Sequence, residues 1–488
     1  MKICFDTKKY IELQSEQILA RVERSAGKLY LEFGGKLFDD LHASRVLPGF
    51  EPDAKMQILK KLADKSEIIM VVGAPDIERK KVRADYNLTY DDEVLRQVKK
   101  LREMGLYVSA IVITLYTGQK SADKFVKKLK NMGENVYIHT PTAGYPDNVE
   151  LIVSEEGYGK NPYISTTKPI VVVTAPGPGS GKMSTCLSQM YHESKNGIKS
   201  GYSKFETFPI WNLPVDHPVN LAYMAATADL KDKNLIDIYH LHAYHKRVTN
   251  YNRDIASFAI LQAILKKIVG TKYYQSPTDM GVNMAGYAIT DEKGCEIASY
   301  NEIIRRYYKA LCDAKQGLDS EETAHTIERL IKKHNIDITK RRVINSAKAK
   351  YKKTGLPSVA IELDNSSIVC GRETELLSAT SAAILNCLKE VAGLPDDLIM
   401  LEERILKPML DLKFKISGEK NQKLDLYDTL CALALCSADS KSAYEAYSAL
   451  SSLKMADAHS THILSTNETA TLKRIGVNIS SEPEYLSK

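Results

Sequence analysis

Short apolar, β-branched runs alternate with amphipathic stretches through the first third of the chain. Residues 28–33, 67–72, 107–115 and 136–140 are near-continuous apolar runs, the pattern of strands buried on both faces. Between them, 53–64, 91–104 and 121–132 carry apolar residues at helical spacing, and Gly105 and Gly133 follow two of these as stops. The alternation predicts an α/β class: a Rossmann-like parallel sheet with crossover helices, whose ligand crevice lies at the carboxyl ends of the strands. Beyond Asn220 the strand signals thin out, and 254–269, 301–314 and 320–334 read as helices. The basic segment running to Thr354 reads as a connector, 357–363 with 366–370 as a hairpin, and 379–391 as a helix. The alanine- and leucine-rich stretch 424–455 reads as one long helical region before a last strand at 462–464. Three domains are expected: an α/β domain over 1–223, a mostly helical one over 224–345, and a C-terminal α/β unit over 346–488.

The densest chemical signal follows the apolar run 169–175, where the chain breaks into Pro176-Gly177-Pro178-Gly179-Ser180-Gly181-Lys182-Met183-Ser184. Glycines let a backbone curl tightly and aim N–H groups inward, and a helix starting at the lysine adds its positive end. Gly177, Gly179, Ser180, Gly181, Lys182 and Ser184 are therefore expected to hold a phosphate. The match to a P-loop is imperfect: Pro176 stands where its first glycine belongs, and Met183 where a magnesium-binding hydroxyl belongs. Ser184 comes one place later, rotated by about 100° on a helix. The plain alternative is a strand-to-helix corner that binds nothing.

Other polar groups cluster in predicted loops. Lys36, His42, Ser44 and Arg45 follow the first strand and suit a carboxylate or phosphate, or else Arg45 simply pairs with Asp39 or Asp40. Asp216, His217, Asn220, Asn252 and Asn283 are candidates for orienting a substrate, although such residues also serve as caps. Arg253 is expected to stabilise developing negative charge, with Asp254 or Asp279 as base or magnesium ligand. His240, His242 and His245 are closely spaced, but no thiolate or carboxylate completes a zinc set, so no resident metal is expected.

Charge narrows the partners. The 67 basic and 61 acidic residues leave a net charge of +6 over 488 residues, too dilute for a polyanion footprint, and no nucleic-acid motif accompanies the basic clusters at 79–83 and 340–353. No stretch approaches the length of a membrane span, and the eight cysteines are scattered without a C-x-x-C pair, so a cytoplasmic protein with reduced thiols is expected. A homo-oligomer is expected from size and long apolar helices.

Leu31-Glu-Phe-Gly-Gly-Lys-Leu-Phe-Asp-Asp40, His42-Ala-Ser-Arg-Val-Leu-Pro-Gly49, the turn 175–184, Phe208-Pro-Ile-Trp-Asn-Leu213, and the segments 250–254 and 276–283 resemble, over the full length, the bacterial family known as domain of unknown function 1846. The resemblance implies an α/β amino-terminal part, a helical insert and a C-terminal unit of deaminase-like topology, and brings no assigned activity with it. The H-x-E and P-C-x-x-C elements of zinc deaminases are missing, so deamination is not expected. The expected function is an enzyme that binds a nucleotide or phosphorylated metabolite, with ATP and magnesium as the candidate cofactor, for phosphoryl or related group transfer. The alternatives are a phosphosugar or nucleoside hydrolase or isomerase working without ATP, and a ligand-binding oligomeric scaffold without catalysis.

Overall fold

Seven parallel strands form the main sheet: β1 (Leu29–Phe33), β2 (Ser66–Gly73), β3 (Val108–Thr114), β4 (Val136–Ile138), β5 (Ile170–Thr174), β6 (Gly201–Phe205) and β7 (Gly281–Val282), in the order β7-β6-β1-β5-β2-β3-β4. The computed structural model describes residues 3–83, 88–270, 274–417 and 423–486. Contacts divide the chain into two compact units, Ile3–Met224 with Asp232–Glu296, and Ile297–Lys488 with Ala225–Lys231.

In the first unit the expected strands and helices form within a few residues of their expected limits. The apolar runs become strands because parallel strands sandwiched between helices must be apolar on both faces; β2, β3 and β5 are buried at every residue. Helices Ala54–Lys61, Tyr90–Glu103 and Lys120–Asn131 fill the connections. From β1 the chain builds outward through β2, β3 and β4, then returns to insert β5 between β1 and β2 before crossing to β6 and β7. The connections of the adjacent strands β1 and β5 thus leave in opposite directions, which opens a crevice at their carboxyl ends. Tyr30, Val171, Val173 and Tyr202 share one face with the helices Lys182–Lys195 and Asn252–Val269, whose Cys186, Leu187, Met190, Phe258 and Leu261 complete this core. Two features depart from the helical reading of the middle of the chain. Asn234–Ile236 and Thr249–Tyr251 pair as a short antiparallel ribbon, and Gly281–Val282 supplies the seventh strand. Both are too short to leave a periodic signal.

The second unit carries a mixed sheet of β8 (Ser358–Glu362), β9 (Ile368–Arg372), β10 (Asp457–Ser460) and β11 (Asn478–Ser481), in the order β9-β8-β10-β11. β8 and β9 form the expected hairpin, β10 runs antiparallel to β8, and β11 parallel to β10. Val359 and Ile361 pack with Ala383 and Leu388 of helix Ala379–Ala392, while Ala360 packs with Val343 and Ala347 of helix Arg342–Thr354. The segment expected to be a basic connector is therefore a helix. Its lysines face outward, and the apolar face is only Val343, Ile344 and Ala347. Arg341, at its start, is buried, donating to Asp457 at 2.8 Å and to the carbonyls of Ala458 and Asn478. The expected long helix over 424–455 is two helices, Leu426–Cys436 and Lys441–Ser448, because Ser440 caps a fresh start through the Ala443 amide, and a 3-10 turn Ala449–Leu453 follows. The strand expected at 462–464 lies earlier, at Asp457–Ser460.

Ile69, fully buried in the central strand β2, has no way to be replaced without a void. Ile69→Ala is expected to lower unfolding free energy by roughly 2–5 kcal/mol, read by urea denaturation of the first unit's transition; a loss under about 1 kcal/mol would contradict the packing described.

Candidate functional site

The glycine turn leaves β5 at the crevice and ends on Gly181, which precedes helix Lys182–Lys195 with φ +78°; Gly179 is also left-handed at +72°. Both conformations favour glycine. Space imposes a second demand: a Cβ on Gly177 would lie 2.2 Å from Tyr90 Oη, and one on Gly181 3.0 Å from Thr114 Cβ. Thr114 Oγ1 donates to the Ser180 carbonyl at 2.7 Å and Ser180 Oγ to the Gly177 carbonyl at 2.9 Å, so the turn is held by its neighbours. Among the described residues, the N–H groups of Gly179 and Gly181 have no acceptor. A cavity of about 350 Å³ opens beside Pro178 and Gly179, with Asp76, Arg79, Lys81 and Arg253 on its walls. Arg79 pairs with Asp76, and Lys81 stands 3.5 Å from the same carboxylate and over the Tyr90 ring. Arg79, Lys81 and Arg253 outnumber Asp76 and Asp232, the partner of Arg253, which leaves the wall positive.

Next to the turn lies a buried charged network on the same face of the sheet. Glu32 of β1 is in register with both Val173 of β5 and Lys204 of β6. Tyr202, two residues before Lys204, donates to Glu32 at 2.7 Å. Lys204 Nζ donates to Asp254 at 2.6 Å, lies 2.9 Å from Glu206 and bonds the Tyr251 hydroxyl, which in turn donates to Glu206 at 2.8 Å. Burial opposes the charge on Lys204, but Asp254 and Glu206 outweigh it and hold the ammonium well above its usual range. Burial pushes Glu206 up to about 7, with Lys204 opposing and Asp254 adding to the rise. Lys182 is different. Half-buried, it forms no hydrogen bond or ion pair among the described residues, and burial together with nearby Lys204 lowers its pKa against the pull of Glu32. An ammonium without a direct partner at a helix start, beside unfilled backbone donors, makes this corner locally electropositive.

The amino-terminal model of the family described as domain of unknown function DUF1846 matches residues 3–335, and the C-terminal model of the same family matches 339–488. The chain belongs to the DUF1846 family. It is similar to UPF0371 proteins of Clostridium tetani and Clostridium botulinum, each 50% identical over 497 aligned positions that cover 100% of this chain and 99% of the relative. A UPF0371 protein of Streptococcus thermophilus is 48% identical over 484 positions, 99% of this chain and 98% of the relative.

In this DUF1846 chain the site residues expected from the sequence fall into three groups. Gly177, Gly179, Ser180, Gly181, Lys182, Arg253 and Asp254 come together around the turn and the charged network. Arg253 is half-exposed and pairs with buried Asp232 at 2.7 Å, so its guanidinium is oriented at the cavity wall. Ser184 Oγ is 3.1 Å from Thr142 Oγ1. Lys36, His42, Ser44 and Arg45 sit past the end of β1. His42 packs against Phe208 and Tyr223, Ser44 Oγ donates to the Asp40 carbonyl, and Asp40 pairs with buried Lys55 at 2.9 Å. Lys55 also donates to the Lys36 carbonyl. The third group is engaged in the scaffold. The Asn220 amide bonds both N–H and C=O of Ile210, Asn283 donates to the Thr207 and Pro209 carbonyls, and Asn252 accepts from Lys233. His217 Nδ1 accepts from the Val219 amide, which places its proton on Nε2, facing Glu292 at 3.2 Å; Asp216 is exposed. Asp279 belongs to a separate cavity. Glu32, Lys204, Glu206 and Tyr251 were not singled out from the sequence, yet a glutamate and a lysine inside the strand runs 29–33 and 201–205 are the readable signal of buried charge.

Because folded Glu206 holds its proton up to about 7 against an ordinary 4.5, the native state binds more protons than the unfolded chain between those values. Stability is therefore expected to fall as pH rises from 4.5 to 7, and Glu206→Gln to flatten that fall. Urea titrations of both proteins at several pH values check it; an identical slope in the variant would contradict the assignment.

Proposed function

We propose that the first unit is an enzyme domain that binds a phosphorylated small molecule or nucleotide at the glycine turn, for phosphoryl or related group transfer. The observation that carries the reading is the unpaired, half-buried Lys182 at the start of the helix after Gly181. We read strand β5, the turn and this helix as a P-loop-like element of a Rossmann-like sheet, and the mixed sheet of the second unit as deaminase-like in its order. In this proposal the Gly179 and Gly181 amides and Lys182 take the phosphate oxygens, and Arg253 meets the charge that develops on transfer. Asp254, bonded to Lys204, accepts the proton of the attacking hydroxyl as its oxygen bonds to phosphorus and the bond from phosphorus to the leaving oxygen breaks. The phosphate groups of a nucleotide fit the donors of the turn. Magnesium fits less well: Ser184 faces Thr142, Asp254 is bonded to Lys204, and Met183 occupies the hydroxyl position.

A second reading has its own support. Glu206, poised to titrate near 7 and accepting from the Tyr251 hydroxyl, is suited to exchanging a proton near neutral pH, as isomerisation or hydrolysis of a phosphorylated sugar or nucleoside requires. It predicts turnover without ATP.

Inorganic phosphate and glucose 6-phosphate, each with a single phosphate group, test the anion site by thermal shift, with and without magnesium. At a hundredfold excess over Kd, binding is expected to stabilise the wild type by about 2.7 kcal/mol. Lys182→Ala is expected to remove the shift and Lys182→Arg to retain part of it; equal shifts in all three proteins would overturn the proposal.

A further inference from the structure

The first unit has another cavity, of about 560 Å³, which shares no wall residue with the one at the glycine turn. Arg21, Arg24, His240, Tyr244, Lys246 and Asp279 surround it, with Tyr274 at its base. Arg21 and Arg24 stand three residues apart in the last turn of helix Thr7–Arg24, on one side of the helix and at the end whose dipole favours cations. One Arg21 nitrogen donates to the Gly281 carbonyl at 3.1 Å, which fixes the guanidinium at the sheet edge. His240 and Tyr244 lie one turn apart on helix Ile238–Tyr244, their rings 4.6 Å between centroids.

Asp279, the one acid of the wall among the described residues, is already engaged. Asp279 Oδ2 accepts from Tyr244 Oη at 2.8 Å and from the Gln275 amide at 3.0 Å, and its other oxygen lies 3.8 Å from His240 Nδ1. His240 Nδ1 is also 2.9 Å from Ser276 Oγ, so the ring is oriented. Arg24 and Lys246 form no ion pair among the described residues and are exposed at the rim. A volume large enough for a small molecule therefore carries an excess of arginine and lysine over carboxylate, with one tyrosine ring, 43% exposed, along a side. Arginine forks and a lysine point charge together match oxyanions carried on one small molecule.

We propose that this cavity is a second ligand site, for a small soluble polyanion bearing two or more phosphate or carboxylate groups, with Arg21, Arg24 and Lys246 as its charge partners and Tyr244 as its side wall. The site is independent of the glycine turn. Its base is tied to the same sheet, because the Tyr274 hydroxyl donates to the carbonyl of Tyr202, whose own hydroxyl holds Glu32.

Isothermal titration of Lys182→Ala protein with inorganic tripolyphosphate and, separately, citrate separates this site from the turn. Binding of either probe is expected to persist in Lys182→Ala and to weaken at least about tenfold when Arg24→Glu and Lys246→Glu are added, with further weakening at high salt. Both added positions are exposed, and Arg24→Gln with Lys246→Gln gives a milder pair should the reversal disturb folding. Preference for tripolyphosphate would assign phosphate chemistry, and preference for citrate carboxylate chemistry, both supporting the site. Absence of binding at millimolar probe, or equal affinity with and without the rim substitutions, would overturn it.

Discussion

An ammonium group buried at the end of a parallel sheet must be neutralised, and the way Lys204 is neutralised organises the first unit's candidate site. Lys204 is gripped by Asp254, Glu206 and Tyr251, which ties the end of β6 to the start of helix Asn252–Val269. The same grip uses up the nearby carboxylates. Lys182, one helix start away, is left with Glu32 at a distance and no direct partner. Among the described residues only Lys204 of these two lysines has carboxylates in direct contact. Leaving an ammonium half-buried without a partner costs free energy, and such a cost is expected where a ligand supplies the missing charge.

The topology makes that arrangement possible. Inserting β5 between β1 and β2 places the glycine turn at the reversal of strand order, with Glu32 and Lys204 in register on the next two strands. Close packing then removes freedom from the turn: Tyr90 stands against Gly177, and Thr114 against Gly181. The backbone amides of the turn are held in place by these contacts, so the proposed binding of a phosphate would impose little further ordering.

The strands β1, β2, β3 and β5 and their helices were legible in the sequence because a buried parallel strand writes itself as an unbroken apolar run. The turn between strand and helix was legible because glycines directly after an apolar run break the strand and allow the left-handed backbone seen at Gly179 and Gly181. What escaped had physical reasons. Gly281–Val282 is two residues long and leaves no period, and helix Arg342–Thr354 presents so narrow an apolar face that its lysines dominate the pattern. Asn220 and Asn283 read as polar groups available to a ligand, yet their amides satisfy backbone carbonyls around Ile210 and Thr207, a use that depends on contacts no local pattern reveals. Asp254 and Asp279 looked alike in the sequence. The fold joins the first to Lys204 and sets the second in another cavity.

A crystal structure of the full chain with pyrophosphate bound is the most direct measurement of the central claim. The account predicts a phosphate group within hydrogen-bond distance of Lys182 Nζ and of the Gly179 or Gly181 amide, with the Lys204–Asp254 pair intact. Pyrophosphate bound elsewhere with Lys182 still unpaired, or a turn closed by hydrogen bonds of its own, would contradict it.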